Sequence, residues 1–224
     1  MEKIRRHHNL LKRQLIVDVV GTSSNVLDVG CGFGGDLNKW QSLNTRLTAC
    51  DPDPSAVEEA HRRTKNLKYP VRLMVGDITT CPLEQFDVVC FNFSIHYIFQ
   101  SEYLFKVSIE NIVNRIKPGG KLIGCIPDSD MILMNTPFRD NLGNIFTRSE
   151  YTGHGRFGEK LFVHLVDTPF YRNGARPEPI GYKDQLITAL GSCGVHLVAW
   201  QPLDKKGTYD ITRMYSKFIF VREM

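Results

Sequence analysis

Apolar residues recur along the chain with two different spacings. Ile4, Leu11, Leu15 and Val19 fall on one face of a helix, so the N-terminal pattern predicts an amphipathic helix over residues 4–20. Five short, nearly all-apolar segments follow and alternate with helical patterns; they are NVLDVG (25–30), RLTACD (46–51), VRLMVGD (71–77), FDVVCFNFS (86–94) and KLIGCIPD (121–128). Such strands are typical of a parallel sheet covered on both faces by crossover helices, so the pattern predicts an α/β fold.

The remaining elements are predicted from turn residues and from the later part of the chain. The expected helices run through Leu37 and Trp40, over 54–66, over 103–117 before Pro118-Gly119-Gly120, and over 182–194. Further strands are expected at FGEKLFVHLVD (157–167), VHLVAWQPL (195–203) and YSKFIFVRE (215–223). We expect the last two to form a pair at the end of the sheet that is antiparallel at the edge, as is common in large mixed sheets.

Composition narrows the class of protein. The chain has 224 residues, which suits one domain over 1–224, and 42% are hydrophobic, enough for a full core. No apolar run approaches the ~18 residues of a membrane span, and the N-terminus lacks the features of a signal peptide. None of the six cysteines forms a C-x-x-C pair, so free thiols, no metal site and a cytoplasmic location are expected. A net charge of +4 is compatible with an anionic substrate but does not establish nucleic-acid binding.

A glycine-rich loop follows the first predicted strand. Gly30, Gly32 and Gly35 spell G-x-G-x-x-G, a pattern that often binds a dinucleotide pyrophosphate at a helix N-terminus. Asp28, two residues before the loop, would repel that anion and attract an ammonium group instead. Asp51, Asp77 and Asn92 end the next strands, and ligands of open α/β sheets bind beyond those ends. The loop therefore favours a cofactor with a cationic amino group, and a hydride-transfer enzyme is disfavoured.

Five segments in order resemble the motifs of class I S-adenosylmethionine-dependent methyltransferases. They are LDVGCGFGGD, CDPDP, GDITT, FDVVCFNFS and IKPGGKLIG. The resemblance implies a Rossmann-like, mostly parallel seven-stranded sheet with an antiparallel edge strand, and S-adenosyl-L-methionine as the cofactor. It also implies that residues 21–127 bind the cofactor, while residues 128–224 complete the sheet and bind the methyl acceptor.

A narrower resemblance covers the chain from about residue 8 to its end. The segments CGFGGDLNKW, FNFSIHYIFQS, GGKLIGCIPDSDMI, FGEKLFVHL, RPEPI and YSKFIFVRE are similar to those of mRNA cap guanine-N7 methyltransferases. They look in particular like the C-terminal domain of large-DNA-virus capping enzymes of the African swine fever virus type. This implies 5′-capped mRNA as the partner, covalently linked triphosphatase and guanylyltransferase domains, and a location in the infected-cell cytoplasm or virion.

The resemblance implies roles for particular residues. Lys12 matches a lysine on the methionine carboxylate, Asp51 is expected to bind the ribose, and Asp77 the adenine. Asp28, Gly30 and Gly32 would hold the amino-acid end of the cofactor, and Asn92 and Tyr97 would lie near it. On the acceptor side the matched residues are His96 and Glu178 for guanine, Tyr215 near the guanine, and Arg63 for the cap phosphates. No general acid or base is expected, because guanine N7 has a free lone pair and no proton to lose.

The chain departs from the family at three positions. Phe33 stands where a lysine is usual, Asn92 replaces a glutamine, and Pro179 follows Glu178 where a tyrosine is usual. Phe33 either packs on the cap or faces inward beneath the loop. Three of these assignments also have a purely structural alternative. The pair His96–Tyr97 could be a polar pair under a loop, Tyr215 an edge residue of its strand, and Lys12 a solvated lysine. Two other functions stay open, a small-metabolite methyltransferase and a catalytically silent RNA-binding domain; His7 and His8 are assigned no role.

Overall fold

A computed structural model describes residues 3–149, 156–166, 171 and 173–224. In chain order its strands are β1 (Asn25–Val29), β2 (Arg46–Asp51), β3 (Val71–Val75), β4 (Phe86–Asn92), β5 (Ile116–Pro127), β6 (Phe138–Arg139), β7 (Ile145–Arg148), β8 (Lys160–His164), β9 (Arg176–Pro179), β10 (Val195–Pro202) and β11 (Tyr215–Arg222). Its α-helices are α1 (Lys3–Val19), α2 (Leu37–Trp40), α3 (Pro54–Thr64), α4 (Glu102–Arg115), α5 (Ser129–Asn135) and α6 (Lys183–Gly191). Among these residues no helix has the length and apolar character needed to cross a membrane.

The larger sheet has seven strands in the order β10-β11-β5-β4-β1-β2-β3. The neighbours from β5 to β3 all pair in parallel, whereas β11 is antiparallel to both β5 and β10. The predicted mostly parallel α/β sheet is confirmed. The reversed strand lies one position in from the edge, which is formed by β10.

Helices cover both faces of this sheet, as the all-apolar strands predict. On one face α1, α2 and α3 contribute Ile16, Trp40 and Ala60 to a core that includes Val88 and Cys90 of β4. On the other face α4 packs against β4 and α6 packs against β10, and both helices share a core with the alternate residues of β4, Val89 and Phe91. Because side chains alternate along a strand, β4 supplies apolar residues to both cores.

The second sheet was only partly predicted. It has four antiparallel strands in the order β6-β7-β8-β9. Only β8 was predicted, within the segment 157–167. The last residue of that predicted segment, Asp167, lies outside the described residues. β6 has two residues, and β9 is the segment Arg-Pro-Glu-Pro. β6 is too short to show a strand pattern in the sequence. The two prolines of β9 are tolerated because it is an edge strand, but they hide its strand pattern.

The boundary between α4 and β5 also differs from the prediction. α4 ends at Arg115, and β5 begins at Ile116, five residues before the predicted strand. Ile116 pairs with Phe86 of β4, and the next pair is Lys121 with Val88. The Pro-Gly-Gly segment therefore lies at a shift in register between these two pairs. Pairing with a neighbouring strand therefore extends β5 through turn residues that normally end an element.

Candidate active site

A cavity of about 700 Å³ lies at the edge of the seven-stranded sheet where the parallel strands end. Nine of the residues expected to bind cofactor or acceptor line it: Lys12, Gly30, Gly32, Asp51, Asp77, His96, Tyr97, Glu178 and Tyr215. They come from α1, the ends of β1, β2 and β3, the 3-10 helix at 95–100, β9 and the first residue of β11. The fold therefore brings both expected sets to one cavity.

The loop after β1 is shaped for close approach. Gly30 has a φ of 77°, and a Cβ built there would lie 2.4 Å from Cβ of Ser94, so only glycine fits. The Gly32 amide donates to Oδ2 of Asp51 at 2.8 Å, while Oδ1 of Asp51 accepts from the Asp53 amide at 3.0 Å. Each carboxylate oxygen has lone pairs left for a ligand hydroxyl, so Asp51 both holds the loop and faces the cavity.

Asp77 organises the turn after β3. Its Oδ1 atom accepts from the Thr79 amide at 2.8 Å and from the Thr79 hydroxyl at 2.6 Å. The next residue, Ile78, is buried and lines the cavity beside Asp77. The turn thus presents a carboxylate next to an apolar wall, which suits a flat ring with a polar edge.

A buried charge cluster lies behind the glycine loop and centres on Asp36. Oδ1 of Asp36 is 2.7 Å from Nζ of Lys12 and 2.5 Å from Nζ of Lys39, and Oδ2 accepts from Nδ2 of Asn92 at 2.9 Å. Burial raises the pKa of Asp36, but the two lysines outweigh it and bring the value to about 2. Lys12 is therefore an ion-paired wall residue, not a solvated one, and Asn92 supports Asp36 from outside the cavity lining.

Asp36 was not singled out from the sequence. The available signal was an acid directly after the glycine loop, in the GGD of the quoted motif, eight residues after Asp28. Sequence spacing alone does not show that Lys12, 24 residues earlier, folds back onto this carboxylate.

Asp28 occupies a second position in the same cluster. It is 2% exposed and does not line the cavity. Burial and the nearby Asp36 carboxylate raise its pKa to about 7, against the lowering effects of Lys12 and the Trp40 indole. Its Oδ2 atom has no hydrogen-bond partner of good geometry among the described residues. Asp28 therefore lies one layer behind the wall where contact with the cofactor was expected.

On the opposite wall, His96 and Glu178 face each other across two elements. Nε2 of His96 lies 3.1 Å from Oε2 of Glu178, and the Tyr171 hydroxyl donates to Oε1 of Glu178 at 2.6 Å. His96 is 1% exposed, and its Nδ1 atom has no partner among the described residues. The ring of Tyr97, which is half-exposed, lies 4.4 Å from that of His96. This wall offers a held carboxylate and aromatic surface, which fits a base with two donor hydrogens.

Tyr215 completes this wall within an aromatic group. Its buried ring makes edge contacts with Phe93 at 5.1 Å and with His8 at 5.3 Å, measured between centroids. Burial and the nearby Glu178 raise the pKa of Tyr215 well above the usual tyrosine range, so the hydroxyl stays neutral. Tyr215 is therefore a cavity residue and not a plain edge residue.

Two expected acceptor-side residues lie elsewhere. Arg63 is in the last turn of α3, exposed and paired with Glu59 at 3.0 Å, and it does not line the cavity. Phe33 is 48% exposed and also outside the lining, which rules out the inward-facing alternative without placing the ring in the cavity. Among the described residues no group of histidine, cysteine, aspartate and glutamate side chains has the arrangement of a metal site.

Comparison with protein families gives one match over most of the chain. Residues 1–203 match the model of the mRNA (guanine-N(7))-methyltransferase domain. A Saccharomyces cerevisiae mRNA cap guanine-N(7) methyltransferase is 32% identical in an alignment that covers 96% of this chain and 56% of that protein. The Candida glabrata protein of the same name is 28% identical, over 99% of this chain and 57% of its own length. The chain thus spans a little over half the length of these relatives.

Comparison with solved structures gives the fold. An S-adenosylmethionine-dependent methyltransferase from Clostridium acetobutylicum superposes with a TM-score of 0.69 at 14% identity, over 100% of this chain and 96% of that one. The N-methyltransferase NodS from Bradyrhizobium japonicum superposes with a TM-score of 0.64 at 18% identity, over the full length of both chains. At this level of identity the likeness concerns the architecture, which is that of class I methyltransferases.

Proposed function

The chain belongs to the mRNA (guanine-N(7))-methyltransferase family, and we propose that it transfers a methyl group from S-adenosylmethionine to N7 of the guanosine cap of mRNA. One observation carries this proposal. The carboxylates at the ends of β2 and β3 and the His96–Glu178 pair line the same cavity, whose volume of about 700 Å³ lies in the range of ligand pockets. Donor and acceptor ligands bound to these two walls would meet within it.

The residues present fit the cofactor. The cradle at Gly30, which a Cβ would fill, lets backbone approach a ligand closely, and Oδ2 of Asp28 behind it is buried with no partner among the described residues. Lys12 would bind the methionine carboxylate, Asp51 the ribose and Asp77 the adenine. Asp28 would act on the ammonium group through space, since it does not line the cavity. The bound cofactor supplies an electrophilic methyl group on a sulfonium sulfur.

The opposite wall fits guanine. Both oxygens of Glu178 are already oriented, by His96 and Tyr171, so the carboxylate can accept from the ring and exocyclic amino hydrogens of the base. Tyr97 and Tyr215 would hold the base plane. Since N7 carries a lone pair and no proton, the residues need only orient the base in line with the methyl group and exclude water.

The test is methyl transfer to capped RNA with the product mapped by atom. The purified chain is incubated with S-adenosylmethionine and GpppA-capped RNA, and the nuclease-released cap is compared with an m7GpppA standard. Transfer to N7 supports the proposal. Transfer to any other atom, or to a small metabolite but not to the cap, contradicts it. Binding of S-adenosylhomocysteine without any transfer would favour a silent RNA-binding domain.

Glu178→Gln sharpens this test. Glutamine keeps the size of the side chain but replaces one accepting oxygen with a donor NH2 group and removes the charge, so kcat/KM for the cap should fall roughly tenfold to a hundredfold. Affinity for S-adenosylhomocysteine, measured by calorimetry, should stay within about twofold of wild type. Glu58→Gln, an exposed carboxylate on α3, is the matched control and should leave both unchanged. Near-normal cap methylation by Glu178→Gln would give Glu178 only a structural role in β9.

The partner domains and the location implied by the sequence resemblance are part of the same proposal. The chain would act joined to triphosphatase and guanylyltransferase domains, as in viral capping enzymes, in the infected-cell cytoplasm or virion. An antibody against this chain should then detect a protein much longer than 224 residues in the source cells. A band of this length alone would contradict the linkage.

A further inference from the structure

His8 is a buried cavity residue that the sequence left without a role. It lies on α1, one turn before Lys12, and is 7% exposed. Its side chain lines the cavity together with Lys12 of the same helix face and with Phe93 and Tyr215. The neighbouring His7 points elsewhere, with Nε2 2.9 Å from Oδ2 of Asp204, and does not line the cavity.

Two contacts of His8 join the two walls of the cavity. Nε2 of His8 lies 3.0 Å from the hydroxyl of Thr212, which is fully buried just before β11. The imidazole ring also meets the edge of Tyr215 at 5.3 Å with an interplanar angle of 70°, and it lies 5.7 Å from Phe93. Hence α1, which carries Lys12, is tied at this point to the segment that carries Tyr215.

The same environment keeps the ring uncharged. Burial, followed by the charges of Lys12 and His7, lowers the pKa of His8 to about 3, and Asp204 only partly opposes this. A neutral ring suits this position, because His8 lies on the same wall as Lys12, where the cationic sulfonium would bind, and a second cation there would repel it. Neutral imidazole can still share one hydrogen with the Thr212 hydroxyl.

We propose that His8 is a positioning residue for the methyl transfer: by bonding Thr212 and packing on Tyr215 it fixes the spacing between the cofactor wall and the guanine wall. The inference rests on the function proposed above and adds a residue to it. In-line transfer needs the reacting atoms at a near-attack distance, and a displacement of ~1 Å can slow a reaction about a hundredfold. Loss of the link between the two walls should therefore lower kcat more than it weakens the binding of either ligand.

The experiment compares variants that keep or remove this link. His8→Phe keeps a ring against Tyr215 but loses the hydrogen bond, and Thr212→Val keeps the shape of Thr212 but loses its hydroxyl. Each should lower kcat about tenfold, with KM for the cap and affinity for S-adenosylhomocysteine within about threefold of wild type. The double variant should be no slower than the worse single variant, because both remove one shared contact. Thr212→Ser, which keeps the hydroxyl, should retain most of the wild-type kcat.

His7→Ala is the matched control, since His7 also ties α1 to the segment before β11 but lies outside the cavity. It should lower the unfolding temperature while leaving kcat unchanged, when all variants are assayed well below their own unfolding temperatures. Wild-type kcat in His8→Phe and Thr212→Val would overturn the proposal, and so would an equal loss of kcat in His7→Ala. Absence of cap methylation by the wild-type chain would instead remove the proposed function, and the role of His8 with it.

Discussion

Asp28 and Asp36 belong to one buried cluster, yet their carboxyl groups have very different pKa values. Asp36 contacts two lysines and has a pKa of about 2, whereas Asp28 makes no such contact and has a pKa of about 7. The sequence shows both acids on either side of the glycine loop, but not which one the lysines reach. That choice depends on how α1 folds over the loop, because Lys12 comes from a distant part of the chain.

Asp28 makes stability depend on pH. Its folded-state pKa of about 7 lies above the ordinary value, so between about pH 4 and 7 the folded chain binds more protons than the unfolded chain at this site. The contribution of Asp28 therefore becomes more destabilising as pH rises through this window. Asp28→Asn should increase the free energy of unfolding, in the absence of ligand, by an amount that grows from pH 4.5 to pH 8, as measured by urea titration.

The matched control for this measurement is Asp130→Asn. Asp130 is an exposed carboxylate 3.2 Å from Lys183, and surface pairs of this kind contribute ~0–1 kcal/mol. Its effect on stability should be small at both pH values. If Asp28→Asn changed the free energy of unfolding by the same amount at pH 4.5 and pH 8, the raised pKa of Asp28 would be wrong.

At the scale of elements, the strands that end at the cavity were predictable and the second sheet was not. β1 to β4 are short, nearly all-apolar segments that end in an acid, an amide or a glycine turn, and these signals are local. β9 carries Glu178 between two prolines, and only its pairing with β8 makes it a strand. The role of Glu178 could be suggested by resemblance, whereas its contact with His96 depends on tertiary packing.

Gly181, two residues after β9, packs closely against His96 of the 3-10 helix at 95–100. A Cβ at Gly181 would lie 2.9 Å from Cβ of His96 and 2.9 Å from Cδ1 of Ile126. Gly181→Ala should push β9 away from the 3-10 helix and separate Glu178 from His96. We expect kcat/KM for the cap to fall about tenfold or more, with the affinity for S-adenosylhomocysteine kept.

Gly191→Ala is the control for this change, since no atom of the described residues lies within 4 Å of a Cβ at Gly191, at the end of α6. It should leave cap methylation unaltered. Full activity in Gly181→Ala would show that catalysis does not require the close approach of β9 to the 3-10 helix.

The direction of α3 decides the position of Arg63. The helix begins just after Asp51 at the cavity edge, and at ~1.5 Å per residue its tenth residue, Arg63, lies about 14 Å further along the axis. The sequence places Arg63 in a basic cluster, but not at which end of the helix the ligand binds. Arg63→Ala should therefore leave KM for the cap unchanged at low salt, and a severalfold increase would return Arg63 to the cap site.

At the scale of the whole molecule, the cavity is closed by a helix that precedes the entire sheet in the chain. α1 contributes five lining residues, whereas α6 contributes none. Binding of S-adenosylhomocysteine should therefore slow amide hydrogen exchange in α1 more than in α6 at short labelling times, as read by mass spectrometry. Equal slowing in both helices would indicate a global effect, and no change in α1 would place the ligand elsewhere.

The continuity of the cavity has a consequence for inhibitor chemistry. Residues proposed to hold adenosine and residues proposed to hold guanine line one space, so a single molecule can occupy both walls. When two weak fragments are joined by a linker of matching length, the second binds at an effective concentration of about millimolar, and affinity rises without any new contact. An adenosine and a guanine tethered through a short bridge at the position of the migrating carbon would therefore act as a bisubstrate inhibitor of this chain.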